Sequence, residues 1–575
     1  MSKASAFLKE VLGVDQVDEK PTGIRGILHT NDYEHFTIYD DLGHSIHEFE
    51  GAKLANKCLP GDHVHWSEGK CSLDLRGGHS PIVGTVALTS KTRYGLTARG
   101  IPIYLFVPYD KSFPNFIVGC SEKDLSRNRI GIIKFDDWKE NSMFPRGNLQ
   151  EILGTSGDYE AEYQGLIWQA CPWKWPKGPY EIQTRERPTR KRVNGFTFNI
   201  DPAGCKDIDD VFTFEKVDTV DTVDTVDTED VERWRITISI SDVATYVENG
   251  SVEDIFASLI SQTLYDNHGN VLRPMLPVEY SEHTCSLQPD KESVGLSLQF
   301  EWNGREISNI IWFESSFVNN QSFTYEEFQN STSEYKPILA GIASHLAHQE
   351  VSDSHEWVEQ MMIFYNKEAG KLLKESGMGI LRRHAAPEWE RLEKYKTHVP
   401  ELMMLAFSSA EYCLSEEKDT EHYGLESDTY AHASSPIRRY ADLVNQRVLK
   451  LLIRKTGESF IVPQAMLDIN LRSKFIKRFA RDLDFLRAIQ EDKTECKGII
   501  VDRIPMSENE YKIRMYIPIW KRIISATYKK VSENTVLSRD ETAEIDVTEF
   551  REVIVKYAIN RNVTNWKDRL IINIQ

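Results

Sequence analysis

Residues 198–215 read FNIDPAGCKDIDDVFTFE, with Asp201, Asp207, Asp209 and Asp210 inside ten positions. Four carboxylates at this spacing repel one another unless a cation lies between them. The flanks constrain the stretch: Phe196, Phe198 and Ile200 alternate before it, and Val211, Phe212 and Phe214 follow it. The pattern predicts a strand, a tight acidic turn and a second strand. Two readings stand at this point. An Asp-rich decapeptide is most often a solvated turn, whereas a cluster pinned between apolar strands lies near a core. Four oxygen donors, with no Cys or His joining them at zinc-ligand spacing, favour Mg²⁺, or Mn²⁺ in its place, under the second reading. An EF-hand loop is a poor competitor, because its central Gly and distant Glu are missing.

Outward from this stretch, the 575 residues have room for roughly three to five domains. No run of about twenty apolar residues occurs, and the opening MSKASAFLKEVLGV is an amphipathic helix candidate rather than a signal peptide. Membrane spanning and secretion are therefore not expected. Cys58, Cys71, Cys120, Cys171, Cys205, Cys285, Cys413 and Cys496 are scattered without a C-x-x-C pair, which argues against a disulfide framework and for an intracellular setting. The net charge of −19 counts against a polyanionic partner at first sight. Its uneven distribution weakens that inference. From Arg447 to Lys530 there are 19 Lys and Arg against 10 Asp and Glu, and Arg187, Arg190, Lys191 and Arg192 crowd a basic linker. Local basic surfaces on an acidic chain suit a channel for a polyanion.

Short alternating runs from Thr22 to Trp66 predict a small β-barrel. A second barrel follows near Val83, with Arg93, Arg99 and Lys111 interleaved among Tyr94, Tyr104, Phe106 and Tyr109. Cations mixed with rings suit single-strand binding, although each ring taken alone is more often barrel core. A Pro- and Trp-rich connector runs from Cys171 to Arg192, and the VDT repeat at Val217–Asp230 reads as a solvated hairpin extension. Past Ser251 helical periodicity takes over. In Ser354–Ser376 the apolar positions Trp357, Val358, Met361, Met362, Tyr365, Ala369, Leu372 and Leu373 recur at helical spacing, and Gly377 ends the segment. A further helix is expected to begin at Ser435 as N-cap with Pro436 in its first turn, which would put Arg438 and Arg439 at a helix start able to hold an anion. After a long helix near Met466–Ile489, alternating strands return to the end of the chain.

Three segments, FNIDPAGCKDIDDVFTFE, RPMLPVEYSEHTCSLQP (Arg273–Pro289) and YAHASSPIRRYADLVNQRVL (Tyr430–Leu449), resemble in content and order the signature segments of the ribonuclease II and ribonuclease R (RNB) family of exoribonucleases. The resemblance implies a multidomain α+β protein: an N-terminal extension (1–20), cold-shock/OB-type barrels at 21–82 and 83–170, a linker (171–192), an α+β RNB catalytic domain (193–492) and an OB-type RNA-binding barrel (493–575). It implies Mg²⁺ held by Asp201, Asp207, Asp209 and Asp210, Arg438 at the phosphate under attack and Tyr325 near the terminal nucleotide. For RNA binding it points to Tyr265, to the Ser435, Arg438 and Arg439 segment, and to Met378, which stands where bacterial enzymes have a second aromatic base clamp. The implied activity is Mg²⁺-dependent 3′-to-5′ hydrolysis of single-stranded RNA to nucleoside 5′-monophosphates. A non-catalytic RNA-binding protein of the same architecture is the rival. The chain is expected to act as an intracellular monomer, in cytoplasm or nucleus, without the endonuclease-domain tether of exosome-associated relatives. Where the family strand carries two histidines this chain has Ser239 and Thr245, while Asp242 is retained, and a structural effect alone is expected there.

Overall fold

The computed structural model describes residues 23–40, 43–176, 180, 182, 190–217, 232–460, 466–488, 490, 494–539, 541–560 and 563–575. The N-terminal extension, most of the basic linker and the VDT repeat lie outside the described residues. Two compact units emerge, residues 1–165 with 560–569, and residues 166–559 with 570–575. No helix among the described residues is long and apolar enough to cross a membrane.

The first unit carries the two predicted β-structures. Ile24–Thr30, His35–Tyr39, Ser45–Glu50, His63–Ser67 and Lys70–Leu75 form a five-stranded antiparallel sheet over Leu28, Phe36, Ile38 and Val64. Ile82–Val86, Ile103–Pro108, Phe116–Gly119, Arg129–Asp137 and Arg146–Thr155 close into a barrel. Three rings considered for base stacking, Tyr104, Phe106 and Tyr109, are buried. Tyr104 and Phe106 fill the barrel core, and the Tyr109 hydroxyl bonds Glu162. The alternation that makes the strand sends Tyr104 and Phe106 inward, and the bond to Glu162 covers Tyr109 just past the strand's end, so none of the three has a face left for a base. Glu162 also pairs with Arg569, which returns to this unit from the far end of the chain.

In the second unit a seven-stranded sheet runs in the order Lys191–Arg192, Ile307–Val318, Glu292–Trp302, Arg233–Ser241, Asp210–Val217, Phe196–Asp201, Gln321–Thr324. The two predicted strands pair antiparallel, Phe196 with Phe214 and Phe198 with Phe212. Phe198, Phe212 and Phe214 pack with Trp357, Met361, Tyr365 and Leu373 of the Ser354–Ser376 helix and Val448 and Leu449 of the Tyr440–Arg454 helix in one core. Burial of each such side chain contributes about 1.5–3 kcal/mol. Gly377, at φ +67°, ends the Ser354–Ser376 helix where the sequence places its stop. The strands Arg522–Lys529, Glu510–Ile517, Glu495–Ser507, Glu552–Ile559 and Leu570–Ile574 form the closing antiparallel sheet, in that order.

Asp242 binds the Tyr440–Arg454 helix to the central sheet. Its carboxylate accepts from Lys450 Nζ at 2.7 and 2.8 Å and from Arg190 Nη2 at 2.5 Å, and Glu314 accepts from Arg454 at 2.5 Å beside them. Burial pushes the Asp242 carboxyl up, but Lys450 and Arg190 outweigh it and hold the group at about 2. This stabilisation is complete above the ordinary value of 3.8 and is lost as pH falls through about 2. Lys450→Met leaves Asp242 buried beside one cation fewer and is expected to destabilise the unit by about 3–5 kcal/mol. Urea unfolding at pH 7 measures the loss. Repeating it toward pH 2 should narrow the gap between wild type and variant, and a gap that widens would exclude the charge account.

Candidate active site

The acidic loop is built and tied down locally. Pro202, Ala203, Gly204 and Cys205 make a turn closed by the Cys205 N–H to the Pro202 carbonyl at 3.1 Å, with Gly204 at φ +79° in the position that favours glycine. Ile208 is buried with Val193, Val211, Leu287 and Phe317. Its N–H donates to Ser286 Oγ at 3.1 Å, and the Ser241 N–H donates to the Asp209 carbonyl at 2.8 Å. One apolar side chain and two cross-strand bonds thus hold acids that would otherwise turn to solvent. Asp209 is only 3% exposed. The solvated-turn reading fails for this reason.

Three of the four acids have a partner of their own. Asp201 Oδ2 accepts from Asn199 Nδ2 at 2.8 Å, and Asp207 Oδ2 accepts from the Tyr265 hydroxyl at 2.7 Å. Asp209 accepts from the Ile437 N–H at 3.0 Å and from Arg438 Nε at 3.0 Å. Burial, first among the causes, raises Asp209 to about 7 against the pull of Arg438 and the Ile437 N–H. Burial followed by Asp201 and Asp209 raises Asp210 well above the carboxylate range, and burial also raises Asp201. A buried acid group of this kind needs protons or a cation to settle. Among the described residues no group of three or more His, Cys, Asp or Glu side chains is arranged to hold a metal ion as it stands. The carboxylates of Asp201, Asp207 and Asp209 each meet a separate donor, and the all-oxygen chemistry of the four acids fits a hard divalent cation.

Two tyrosines border the acids. The Gln321–Thr324 strand runs parallel to Phe196–Asp201 with Asp201 opposite Thr324. Thr324 then caps the next helix, accepting from the Glu327 N–H at 3.1 Å while Glu327 accepts from the Thr324 N–H at 2.8 Å. This reciprocal cap puts Tyr325 at the first helical position, next to Asp201. Its ring stacks on His355 at 3.8 Å between centroids, and burial with Asp210 and Asp201 raises its phenol. Tyr265 meets the loop at Asp207. Burial and Asp207 keep its phenol protonated, so it serves as a hydrogen-bond donor to Asp207.

The helix-start anion site expected at Ser435 is not formed. Residues 436–438 make a turn, the helix begins at Tyr440, and Arg439 is its N-cap residue. The cause is Asp442, whose Oδ1 accepts from the Ser435 N–H at 2.8 Å and from Arg439 Nη2 at 2.7 Å. An acid in the first turn complements the helix dipole without help from Ser435. The Ser435 hydroxyl instead accepts from Arg438 Nη2 at 3.2 Å. Arg438 is therefore aimed by a turn rather than by a helix, and 45% of its side chain stays open to solvent beside Asp209. Arg439 is turned onto Asp442. Met378, half-buried against the main core, accepts the Phe460 N–H at its sulfur, 3.4 Å away. Sequence reading missed Asn199, although it shares a strand face with Asp201 two residues on. It also missed Asp442, whose position three residues after Arg439 is a helix-start signal.

The RNB domain model matches residues 190–336 and 328–455, and the Dis3-like cold-shock domain 2 (CSD2) model matches residues 103–170. The exosome complex exonuclease RRP44 of Homo sapiens is 24% identical over 439 residues, covering 61% of this chain and 44% of that protein. The chain spans about half the length of the first curated relatives it matches. Mycoplasma genitalium RNase R in complex with ribose methylated single-stranded RNA has the same fold, at TM-score 0.66 and 15% identity over 96% of this chain and all (100%) of that one. Yeast Ssd1, described as a pseudonuclease, matches at TM-score 0.62 and 15% identity over 97% of this chain and 83% of that one. With the acid loop, the sheet that holds it and the Tyr430–Leu449 segment all inside the matched range, residues 190–455 of the chain are an RNB domain, and residues 103–170 match a Dis3-like cold-shock domain.

Proposed function

We propose that the protein is a Mg²⁺-dependent exoribonuclease that hydrolyses single-stranded RNA from its 3′ end to nucleoside 5′-monophosphates. The observation that carries this reading is the set of close, mutually repelling acids at 201–210, with Asp209 buried and the half-exposed Arg438 against it. Asp201, Asp207, Asp209 and Asp210 would hold the metal, which when bound supplies Lewis-acid activation of phosphate and water. The chain's own groups do the rest. Arg438 meets the charge that develops on the phosphate, Tyr265 holds and orients Asp207, and Tyr325 offers a ring edge to the terminal nucleotide. Phosphate contacts and stacking are indifferent to base identity, so sequence preference should be slight.

Digestion of a 5′-labelled oligoribonucleotide tests the reading. A ladder that shortens from the 3′ end with Mg²⁺ or Mn²⁺ and stops on EDTA is the expected result. An intact oligonucleotide that is still bound would select the non-catalytic alternative, which the likeness to a pseudonuclease keeps in view.

A further inference from the structure

A group of cations outside the acid loop gathers around the Ile380–Arg383 and Glu411–Leu414 hairpin. Asn470, on the Met466–Ala488 helix, holds the Glu411–Leu414 strand by both main-chain atoms of Tyr412: its Oδ1 accepts the N–H at 2.8 Å and its Nδ2 donates to the carbonyl at 2.9 Å. Residues spaced by four, then three, then four along a helix share one face. Beyond Asn470 these are Lys474, Lys477 and Arg481. All three are exposed, and among the described residues no carboxylate pairs with them. A cationic helix face is by itself usually a solvated surface.

What lies beside it makes this one different. Arg382 is the register partner of Tyr412 in the hairpin. Its guanidinium sits over the Tyr412 ring, 4.6 Å from the centroid, and Nη2 donates to the Ala410 carbonyl at 3.1 Å. Arg382 is only 9% exposed, yet its Nη1 has no hydrogen-bond partner among the described residues. A buried charged donor left unpaired is costly, and an anion would satisfy it. The Tyr412 hydroxyl meets His432 Nδ1 at 2.8 Å, in the segment that leads directly to Arg438. Partial burial, together with Arg382 and Arg481, pulls the Lys477 ammonium below its ordinary value, as expected where cations gather without an anion.

We propose that Lys474, Lys477, Arg481 and Arg382 form a phosphate track that grips the backbone of the RNA strand upstream of the scissile phosphate. The inference rests on the exoribonuclease reading, since it extends the path of the same strand away from Arg438. Along the helix the three exposed cations span about 10 Å, room for roughly three phosphates at the 3.4 Å rise of a stacked strand.

The test reads binding by anisotropy, with the full chain and a 5′-fluorescein-labelled oligouridylate of twelve residues in EDTA, where no cleavage occurs. The triple variant Lys474→Gln, Lys477→Gln, Arg481→Gln changes exposed side chains only, and circular dichroism checks its fold. Its Kd at 0.1 M salt is expected to rise at least about tenfold, and the slope of log affinity against log salt to fall by about 2, or 0.7 for each lost phosphate contact. Arg382→Gln alone should weaken binding in the same direction. Wild-type affinity and slope in the triple variant would overturn the track and leave the exoribonuclease reading standing. Failure of the wild-type chain to bind the oligonucleotide would overturn both.

Discussion

Asp209→Asn is expected to lower turnover on a labelled RNA at least about a thousandfold while leaving the fold intact, the scale of a lost charge-stabilising group at a reacting centre. The amide keeps the shape of the carboxyl and its acceptor for the Ile437 N–H, but it cannot counter a divalent cation or the Arg438 guanidinium. A readout independent of activity accompanies the loss. Burial holds the Asp209 carboxyl at about 7, so its protonated form favours the folded state. The sign follows: this contribution is complete below the ordinary value of 3.8 and is lost as pH rises through about 7. In EDTA, wild type should therefore lose thermal stability between pH 5 and 8 relative to the variant, and added Mg²⁺ should restore it in wild type alone. Equal turnover in the variant would remove Asp209 from the site. Equal Mg²⁺ response in both proteins would remove it from the metal ligands.

Arg438→Ala should reduce kcat about a hundredfold to a thousandfold with less than about a tenfold loss of RNA affinity, because its guanidinium acts on charge that develops during reaction. Removing it also strips Asp209 of the cation that offsets burial. The acid limb of the pH–rate profile should then move to higher pH. Arg438→Lys restores the charge without the fork that spans Asp209 and the Ser435 hydroxyl, so it should recover part of the rate and most of the pH profile. A profile that stays in place in the alanine variant would separate Arg438 from Asp209 in function.

Much of this was legible because it depends on neighbours in the chain. Alternation at Phe196, Phe198 and Ile200 and at Val211, Phe212 and Phe214 is enough to make two strands, since a period of two puts one apolar face on each. The Ser354–Ser376 helix and its Gly377 stop follow equally from local periodicity and local backbone freedom. The start of the Tyr440–Arg454 helix did not follow. Ser435 and Pro436 form a sound local start signal, but Asp442 reaches back to the Ser435 N–H and moves the start to Tyr440. The rings of the second barrel show the same limit. Tyr104, Phe106 and Tyr109 read alike whether they face a base or a core; barrel closure puts the first two in the core, and Glu162 takes the hydroxyl of the third.

By itself, then, the sequence determined the strands, the order of the segments and the presence of four acids in one turn, all of them properties carried within a few residues. Tertiary structure alone decided that Ile208 and Asp209 at the end of the turn are buried, because Ile208 is anchored by Val193, Leu287 and Phe317 from distant segments. It also decided which donors Asp207 and Asp209 meet. Asp207 finds Tyr265 and Asp209 finds Arg438 across gaps of 58 and 229 residues, and only packing brings together groups so far apart in the chain.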